Sequence, residues 1–159
     1  MSGDLRRELK KRRPFESPEQ ETLLNLMRTN DRFQFQFARL FRDHGLTPSQ
    51  YNVLRILRGE GGPLPCLEIA ARMIAAVPGI TGLIDRLEAT GLVTRERSTE
   101  DRRVVYVSIT AKALDVLAGL DGPVDVLHKT LVGHLTLDEL RELNRLLEKA
   151  RQSSRDETG

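Results

Sequence analysis

The stretch from Pro78 to Ile109 constrains the fold of this chain more than any other part of its sequence. Its first part, Pro78 to Thr90, has apolar residues at the three- and four-residue spacing of a helix, and Gly91 follows as a stop signal. Two runs of strand-forming composition come next, Leu92 to Arg97 and Arg103 to Ile109, with a polar tip between them. The pattern therefore predicts a helix followed directly by a β-hairpin. The helical stripe consists of Ile80, Leu83, Ile84 and Leu87.

Two further helices are predicted before this stretch. Thr47, Pro48 and Gln50 form an explicit helix start, because the threonine can be the N-cap and the glutamine three residues later completes a capping box. After a break rich in Gly and Pro, a short helix is expected from about Pro65 to Met73. The order of helix, short helix, striped helix and charged-tip hairpin is typical of a winged helix-turn-helix over residues 46–110. In that motif the third helix enters the major groove of DNA and the hairpin lies beside it.

Long helices are predicted on both sides of this motif. Residues 18–45 have helical apolar spacing without an internal break, and although Phe33 to Phe37 alternate as a strand would, their flanks favour a helix. Residues 111–152 predict two helices, the first kinked or interrupted near Pro123 and the second opened by another capping box. The expected fold is mainly α with a small β-hairpin wing, a winged helix-turn-helix with flanking helices from both chain ends.

The flanking helices have more apolar surface than one small winged domain can cover. The helix over 18–45 has apolar side chains on two faces, and the last helix has a seam of leucines. We therefore expect 18–45 and 111–152 to be dimerisation helices. Helices that cap a monomer are the alternative, since such seams are often intramolecular. The leucine seam consists of Leu137, Leu140, Leu143, Leu146 and Leu147.

Composition excludes several classes of protein. With 159 residues, 39% hydrophobic and 30% charged, the chain fits one soluble domain. No apolar run reaches the roughly 18 residues of a membrane span, so we expect a cytoplasmic protein with no membrane partner. The single cysteine, Cys66, cannot form an internal disulfide, and no His or Cys cluster predicts a metal site; we expect no cofactor. The catalytic motifs G-x-S-x-G and H-E-x-x-H and a phosphate-binding glycine loop are absent, which argues against an enzyme.

The basic excess of the chain lies at its front end. Residues 1–13 contain six Lys or Arg and two acidic residues. A basic arm suits a polyanionic partner, because each cation near a phosphate releases condensed counterions. The alternative is a solvated tail. In either case we expect a disordered N-terminal arm over 1–17, and a disordered tail over 153–159.

Three blocks of sequence resemble the multiple antibiotic resistance regulator (MarR) family. They are LIDRLEATGLV at 83–93, EDRR at 100–103 and VSIT at 107–110. The resemblance implies a homodimer, joined by helices from both chain ends, that binds a pseudo-palindromic operator in double-stranded DNA. It also implies a sequence-specific transcriptional regulator, most often a repressor, that is released by a small-molecule effector or by oxidation.

The resemblance also indicates which residues contact DNA. The family's wing motif Asp-x-Arg corresponds to Asp101 and Arg103, with the arginine expected in the minor groove and the carboxylate orienting it. On the third helix, Thr81 and Arg86 have polar reach toward bases or phosphates, and the backbone can approach DNA closely at its glycines. The predicted DNA-binding residues are Ser49, Gln50, Pro78, Gly79, Thr81, Gly82, Asp85, Arg86, Asp101, Arg102 and Arg103.

Some of these assignments have a competing structural explanation. Arg86 can pair with Asp85 or Glu88 instead of contacting DNA. Ser49 and Gln50 can donate to phosphate at a helix N-terminus, but capping explains them nearly as well.

The family's effector site lies between the dimer helices and the winged domain and often holds aromatic anions. The resemblance therefore points to a small aromatic or anionic effector near Phe33, Phe37, Phe41, His44 and Tyr51. Two other functions stay open. Cys66 lies near a helix start, where the helix dipole can lower a thiol pKa and favour redox sensing. A winged-helix interaction protein without enzymatic activity is the second.

Overall fold

The computed structural model describes residues 4–154 and confirms a mainly helical chain with a small antiparallel sheet. The described chain divides into two compact units, the first ending at Ala118 and the second beginning at Gly119. Within residues 4–154, no helix has both the length and the hydropathy needed to cross a membrane. The elements are α1 (Asp4–Glu8), α2 (Pro18–Arg42), α3 (Pro48–Glu60), β1 (Leu64–Pro65), α4 (Cys66–Arg72), α5 (Ile80–Ala89), β2 (Val93–Arg97), β3 (Val105–Ile109), α6 (Ala111–Val132) and α7 (Leu137–Gln152).

The predicted capping boxes of α3 and α7 are both present. At α3, the Thr47 hydroxyl accepts the Gln50 backbone N–H at 3.2 Å, and the Gln50 side chain accepts the Thr47 N–H at 3.0 Å. At α7, Thr136 and Glu139 make the same reciprocal pair. Such caps satisfy backbone donors that a helix start otherwise leaves without partners, so they fix where each helix begins.

The sheet has three strands in the order β1-β3-β2. The predicted hairpin is confirmed: β2 and β3 pair antiparallel, from Val93 opposite Ile109 to Arg97 opposite Val105. The sequence did not predict β1, which pairs with the other edge of β3 through Leu64 and Pro65. Two residues are too few to show a strand period, and proline is tolerated in a strand only at an edge such as this one.

Three of the four residues in the predicted apolar stripe of α5 are buried, and the fourth, Ile80, is half-buried. Leu83, Ile84 and Leu87 have almost no exposed surface, and α5 packs against α3, α4 and β2. Fully burying such a side chain contributes about 1.5–3 kcal/mol. This burial fixes which face of α5 is exposed. The other fully buried residues of the first unit include Val53, Leu54, Leu57, Ile69, Val93 and Val107.

The start of α5 differs from the prediction. The helix begins at Ile80, and Pro78 lies in the turn before it. Gly79 is the N-cap, with φ of +77° in the left-handed region, which L residues with a Cβ rarely adopt. The predicted start at Pro78 is therefore wrong, because Gly79 adopts a turn conformation and lies before the first helical residue.

Helix α6 is continuous from Ala111 to Val132, so the predicted interruption is wrong, whereas a kink near Pro123 stays a prediction. Pro123 lies inside it and removes the hydrogen bond that would end on the Gly119 carbonyl. Leu120 and Val124, on either side of this position, are both buried. The break signals coincide with the division between the two compact units at Gly119.

The N-terminal arm also differs from the prediction of disorder over 1–17. Residues 4–8 form α1, and Leu5 is only 5% exposed. The Glu8 carboxylate lies 2.9 Å from Arg32 Nη2 on α2, and the Arg6 guanidinium donates to the carbonyls of Lys11 and Arg12. One apolar anchor and internal use of Arg6 thus order part of the arm. Residues 1–3, and 155–159 of the predicted disordered tail, lie outside the described residues, and Ser153 and Ser154 form a turn after α7.

Candidate DNA-binding surface

The outward face of α5 presents an arginine without an ion pair. Arg86 is exposed, and in the described residues no carboxylate lies within ion-pair distance of its guanidinium. The guanidinium lies over Gly82, where an added Cβ would be 3.8 Å from Nη1. Thr81 is exposed on the same helix. The two polar side chains expected to reach DNA are therefore both accessible and uncommitted.

The two acidic residues that could have paired with Arg86 instead pair with Arg95 on β2. Arg95 Nη1 lies 2.6 Å from Asp85 Oδ1, and Arg95 Nη2 lies 3.0 Å from Glu88 Oε1. The Arg95 backbone N–H donates to the second Glu88 oxygen at 3.1 Å. The hydrogen bond from Arg95 lowers the pKa of Glu88, and the same bond raises the pKa of Arg95. One side chain thus joins the helix to the wing.

Sequence reasoning missed Arg95. It stands in a strand whose side chains alternate between faces, and its half-buried position shows only once β2 lies against α5. The available signal was an arginine ten residues after Asp85 and seven after Glu88, across a predicted turn. That spacing does not by itself indicate a contact.

The tip of the wing is closed by local hydrogen bonds. The Ser98 hydroxyl accepts the backbone N–H groups of Glu100 and Asp101, each at 3.2 Å. Ser98 N–H donates to the Val104 carbonyl at 2.9 Å, and Val104 N–H donates to the Asp101 carbonyl at 2.9 Å. These bonds replace the Asn-Gly turn chemistry that the sequence lacks, and they hold the loop in one shape.

The closed tip displays its arginines to solvent. Asp101 Oδ1 accepts the Arg103 backbone N–H at 3.0 Å and lies 3.4 Å from Arg103 Nε, so the predicted pairing of these two residues is present. The Arg103 side chain is still 93% exposed. Arg102 is also exposed, and its carbonyl accepts from the Arg97 guanidinium at 2.9 Å. The wing therefore offers two cations on a braced loop.

The two predicted DNA-binding residues at the start of α3 differ in their role in the helix cap. Gln50 is committed to the capping box through both its backbone and its side chain, so capping accounts for it. Ser49 is half-buried and takes no part in that box. The capping box therefore accounts for Gln50 but not for Ser49.

The aromatic residues expected near an effector form a stack within the first unit. The Phe41 ring lies 4.0 Å from the Tyr51 ring and 5.8 Å from the Phe37 ring, centroid to centroid. His44 Nδ1 lies 3.2 Å from the Leu40 carbonyl, which can only accept. Phe41 is buried and belongs to the core, whereas Phe37, His44 and Tyr51 are half-buried, as is Phe33.

The environment of Cys66 does not favour a reactive thiol. Burial raises the pKa of Cys66, and this outweighs the opposing effects of Arg95 and of the backbone N–H at the start of α4. The thiolate, which is the reactive form, is thereby disfavoured. The described residues, 4–154, contain no group of three or more His, Cys, Asp or Glu side chains placed to bind a metal ion.

The Arg95 pairing predicts a specific pH dependence of stability. The folded-state pKa of Glu88 lies below its ordinary value of 4.5, so the pairing stabilises the fold above about pH 4.5 and this contribution is lost as the pH falls through the folded pKa. We expect Arg95→Gln to remove that contribution. In urea denaturation between pH 3 and 7, the variant should lose less stability on acidification than the natural protein.

Arg86→Gln is the matched control, because in the described structure Arg86 has no carboxylate partner. Its acid dependence should be that of the natural protein. Identical pH curves for all three proteins would contradict the role assigned to Arg95.

Comparison with known proteins identifies the family of this chain. The sequence profile of the MarR family matches residues 46–105. The chain is 30% identical over 128 residues to the transcriptional regulator MgrA of Staphylococcus aureus, covering 80% of this chain and 84% of that protein. It is 26% identical over 123 residues to the homoprotocatechuate degradative operon repressor of Escherichia coli, covering 77% and 82%.

A solved structure extends the similarity to most of the chain. The crystal structure of a MarR transcription factor from Planctomyces limnophilus is 44% identical, with a TM-score of 0.66, and the alignment covers 85% of this chain and 98% of that one. These relatives are transcriptional regulators. The family resemblance drawn from three short blocks is confirmed, and the chain belongs to the MarR family of winged-helix, DNA-binding transcriptional regulators.

Proposed function

We propose that this protein is a dimeric, cytoplasmic repressor that binds a pseudo-palindromic operator and is released by a small-molecule effector. One observation carries the proposal: Arg86 on the outward face of α5 and Arg102 and Arg103 at the wing tip are exposed together. The acids Asp85 and Glu88 beside Arg86 pair with Arg95 instead. Such a surface attracts phosphate and can still contact bases. The name of the E. coli relative, an operon repressor, supports the direction of regulation.

In this proposal α5 lies in the major groove. Thr81 and Arg86 contact phosphates or base edges. The backbone approaches DNA at Gly79, where an added Cβ would meet nothing within 4 Å, and at Gly82, where it would meet only the Arg86 guanidinium. Asp85 lies on the same exposed side, and Arg95 Nη1 lies 2.6 Å from its carboxylate. The pairing lowers the repulsion that a lone carboxylate would exert on phosphate.

The wing places Arg103 in the adjacent minor groove. A narrow minor groove has an enhanced negative potential that attracts inserted arginine side chains. The Asp101 carboxylate accepts the Arg103 backbone N–H and so fixes the base of that side chain. Arg102 is left to contact the flanking phosphates.

Arg103→Ala tests the wing. We expect operator affinity to fall about thirtyfold, the middle of the range of about 1–3 kcal/mol for a specific arginine contact, and the salt slope of log K to decrease by about one. Fluorescence anisotropy at several salt concentrations measures both quantities. Arg141→Ala, an exposed arginine of α7, is the control and should change neither. Equal affinities for the Arg103 variant and the natural protein would remove Arg103 from the interface.

The dimer is supported by apolar surface that each compact unit leaves exposed. On α2 the exposed residues are Leu23, Met27 and Phe35, and on α7 they are Leu137, Leu143 and Leu146. Side chains of this size at helical spacing are typical of helix–helix interfaces. A twofold dimer would set two copies of α5 about 34 Å apart, one turn of DNA.

Light scattering tests the dimer. Two chains of 18.0 kDa give a mass of about 36 kDa, and we expect this mass at micromolar concentration. Phe35→Glu should shift the mass toward that of one chain, because it places a charge in the apolar interface. Leu67→Glu, at an exposed leucine of α4, should leave the dimer intact. A single chain for the natural protein would refute the proposal of a dimer.

For the effector we propose the half-buried aromatic group of Phe37, His44 and Tyr51. Stacked rings suit an aromatic ligand, because rings bind ring faces, and the imidazole of His44, three residues after Phe41, can hydrogen-bond the polar group of such a ligand. Phe41 is a core residue and takes part only by supporting Tyr51.

His44→Ala tests this group. Aromatic carboxylates and phenols are titrated into the protein–operator complex, and anisotropy reports the release of DNA. We expect the variant to need about tenfold more of an active compound, as loss of a charge-assisted hydrogen bond implies, with DNA affinity unchanged. His134→Ala, in the loop before α7, should respond like the natural protein. Equal sensitivity of both variants would place the effector elsewhere.

Of the two alternatives, redox sensing through Cys66 has the weaker support, since burial raises its pKa. The other alternative, a winged-helix interaction protein, predicts no preference for any DNA sequence. The operator measurements above distinguish it from a repressor.

A further inference from the structure

The segment that leads into α5 has an unusual composition for a DNA-reading element. From Met73 to Ile84 there is no charged residue, and Thr81 has the only strong hydrogen-bonding side chain. Within this segment, Ile74 to Pro78 form an exposed turn, which we call the apolar turn. Ile74 is 88% exposed, Ala75, Ala76 and Pro78 are exposed, and Val77 is half-buried.

The apolar turn is held in a defined conformation. The Ile74 backbone N–H donates to Asn52 Oδ1 on α3 at 2.8 Å, which anchors the turn to a helix that begins at a capping box. At its other end, Gly79 adopts the left-handed conformation that starts α5. Ile74 is therefore exposed on an anchored turn immediately before α5.

The charged residue that precedes the turn is not available to bases. Arg72 donates to Glu60 at 2.6 Å and to Glu68 at 2.8 Å, so its guanidinium is occupied by two carboxylates. Guanine is specified mainly by Arg or Lys, and adenine by Asn or Gln. The segment from 73 to 84 contains none of these residues. Apart from Thr81, it can distinguish bases only through apolar contact.

The major groove has one apolar group that varies with sequence, the C5-methyl group of thymine. We infer that the apolar turn, with Ile74 at its most exposed point, contacts thymine methyl groups and makes them part of the operator's specificity. This inference rests on the proposed function, since it requires α5 to lie in the major groove. Burial of one methyl group corresponds to about a fourfold gain in affinity.

The experiment compares thymine with uracil, which lacks only this methyl group. A duplex is first selected with the full-length protein from a random pool, and it is then synthesised with deoxyuridine in place of each thymidine in turn. Anisotropy at constant salt measures each affinity. We expect one or two positions per half-site at which uracil weakens binding about fourfold, and no effect elsewhere.

Ile74→Ala tests whether the turn is responsible. The substitution should change the stability of the fold little, because Ile74 is 88% exposed. At the sensitive positions, the ratio of thymine to uracil affinity should fall toward one in this variant. Leu67→Ala is the matched control: Leu67 is 81% exposed on α4 but lies outside the turn, so the ratio should stay near four. Because the ratio is taken within each protein, a general loss of affinity does not affect it.

The outcomes separate the inference from the proposed function. If the random pool gives no enriched sequence, the proposed function fails. An enriched sequence that binds equally well with uracil would overturn the inference alone. Sensitivity to uracil that persists in Ile74→Ala would do the same, as would a change in oligomeric state on this substitution, which would make the turn a contact between copies.

Discussion

The rest of the DNA-binding surface depends on the burial of one apolar stripe on α5. Leu83, Ile84 and Leu87 are buried while α5 packs on α3, α4 and β2. Because side chains three and four residues apart share one side of a helix, burying these three leaves Thr81 and Arg86 exposed. The orientation of the polar side chains thus follows from the hydrophobic core, and no polar contact is needed to set it.

Electrostatics then decides which charges on that surface remain available. Asp85 and Glu88 both lie on α5, and without a partner either carboxylate would oppose phosphate or compete for Arg86. Arg95 pairs with both at once, and it does so from β2, so the pairing also links the helix to the wing. One buried stripe and one arginine therefore leave Arg86 uncommitted. Ion pairs near a protein surface contribute at most about 1 kcal/mol to stability, so the larger effect of this half-buried pairing is on the charge that the surface presents.

Sequence reasoning succeeded where the determining interaction is local. The caps at Thr47 and Thr136, the stripe on α5 and the hairpin all depend on residues within a few positions of one another. It failed where the interaction is distant or depends on context. Leu64 and Pro65 form a strand only because they pair with β3, and Arg95 acquires its partners only by packing. Helix α6 continues through Pro123, although proline is a break signal in the sequence. The Asp101–Arg103 pair was found through the family motif, whereas Arg95 required the fold.

The apolar turn changes how affinity and specificity are divided on such a surface. Contacts to phosphate weaken steeply as salt rises, because they depend on counterion release. Apolar contacts with thymine methyl groups do not depend on counterions, and high salt does not weaken them. In such a regulator, the cations at Arg86 and on the wing would provide affinity for DNA. The uncharged turn from Ile74 to Pro78, facing the groove, would provide part of the discrimination between sequences. The absence of charged side chains from the first residues of α5 is then compatible with sequence specificity. The methyl groups in the major groove still distinguish A·T from G·C pairs, and they also show which strand carries the thymine.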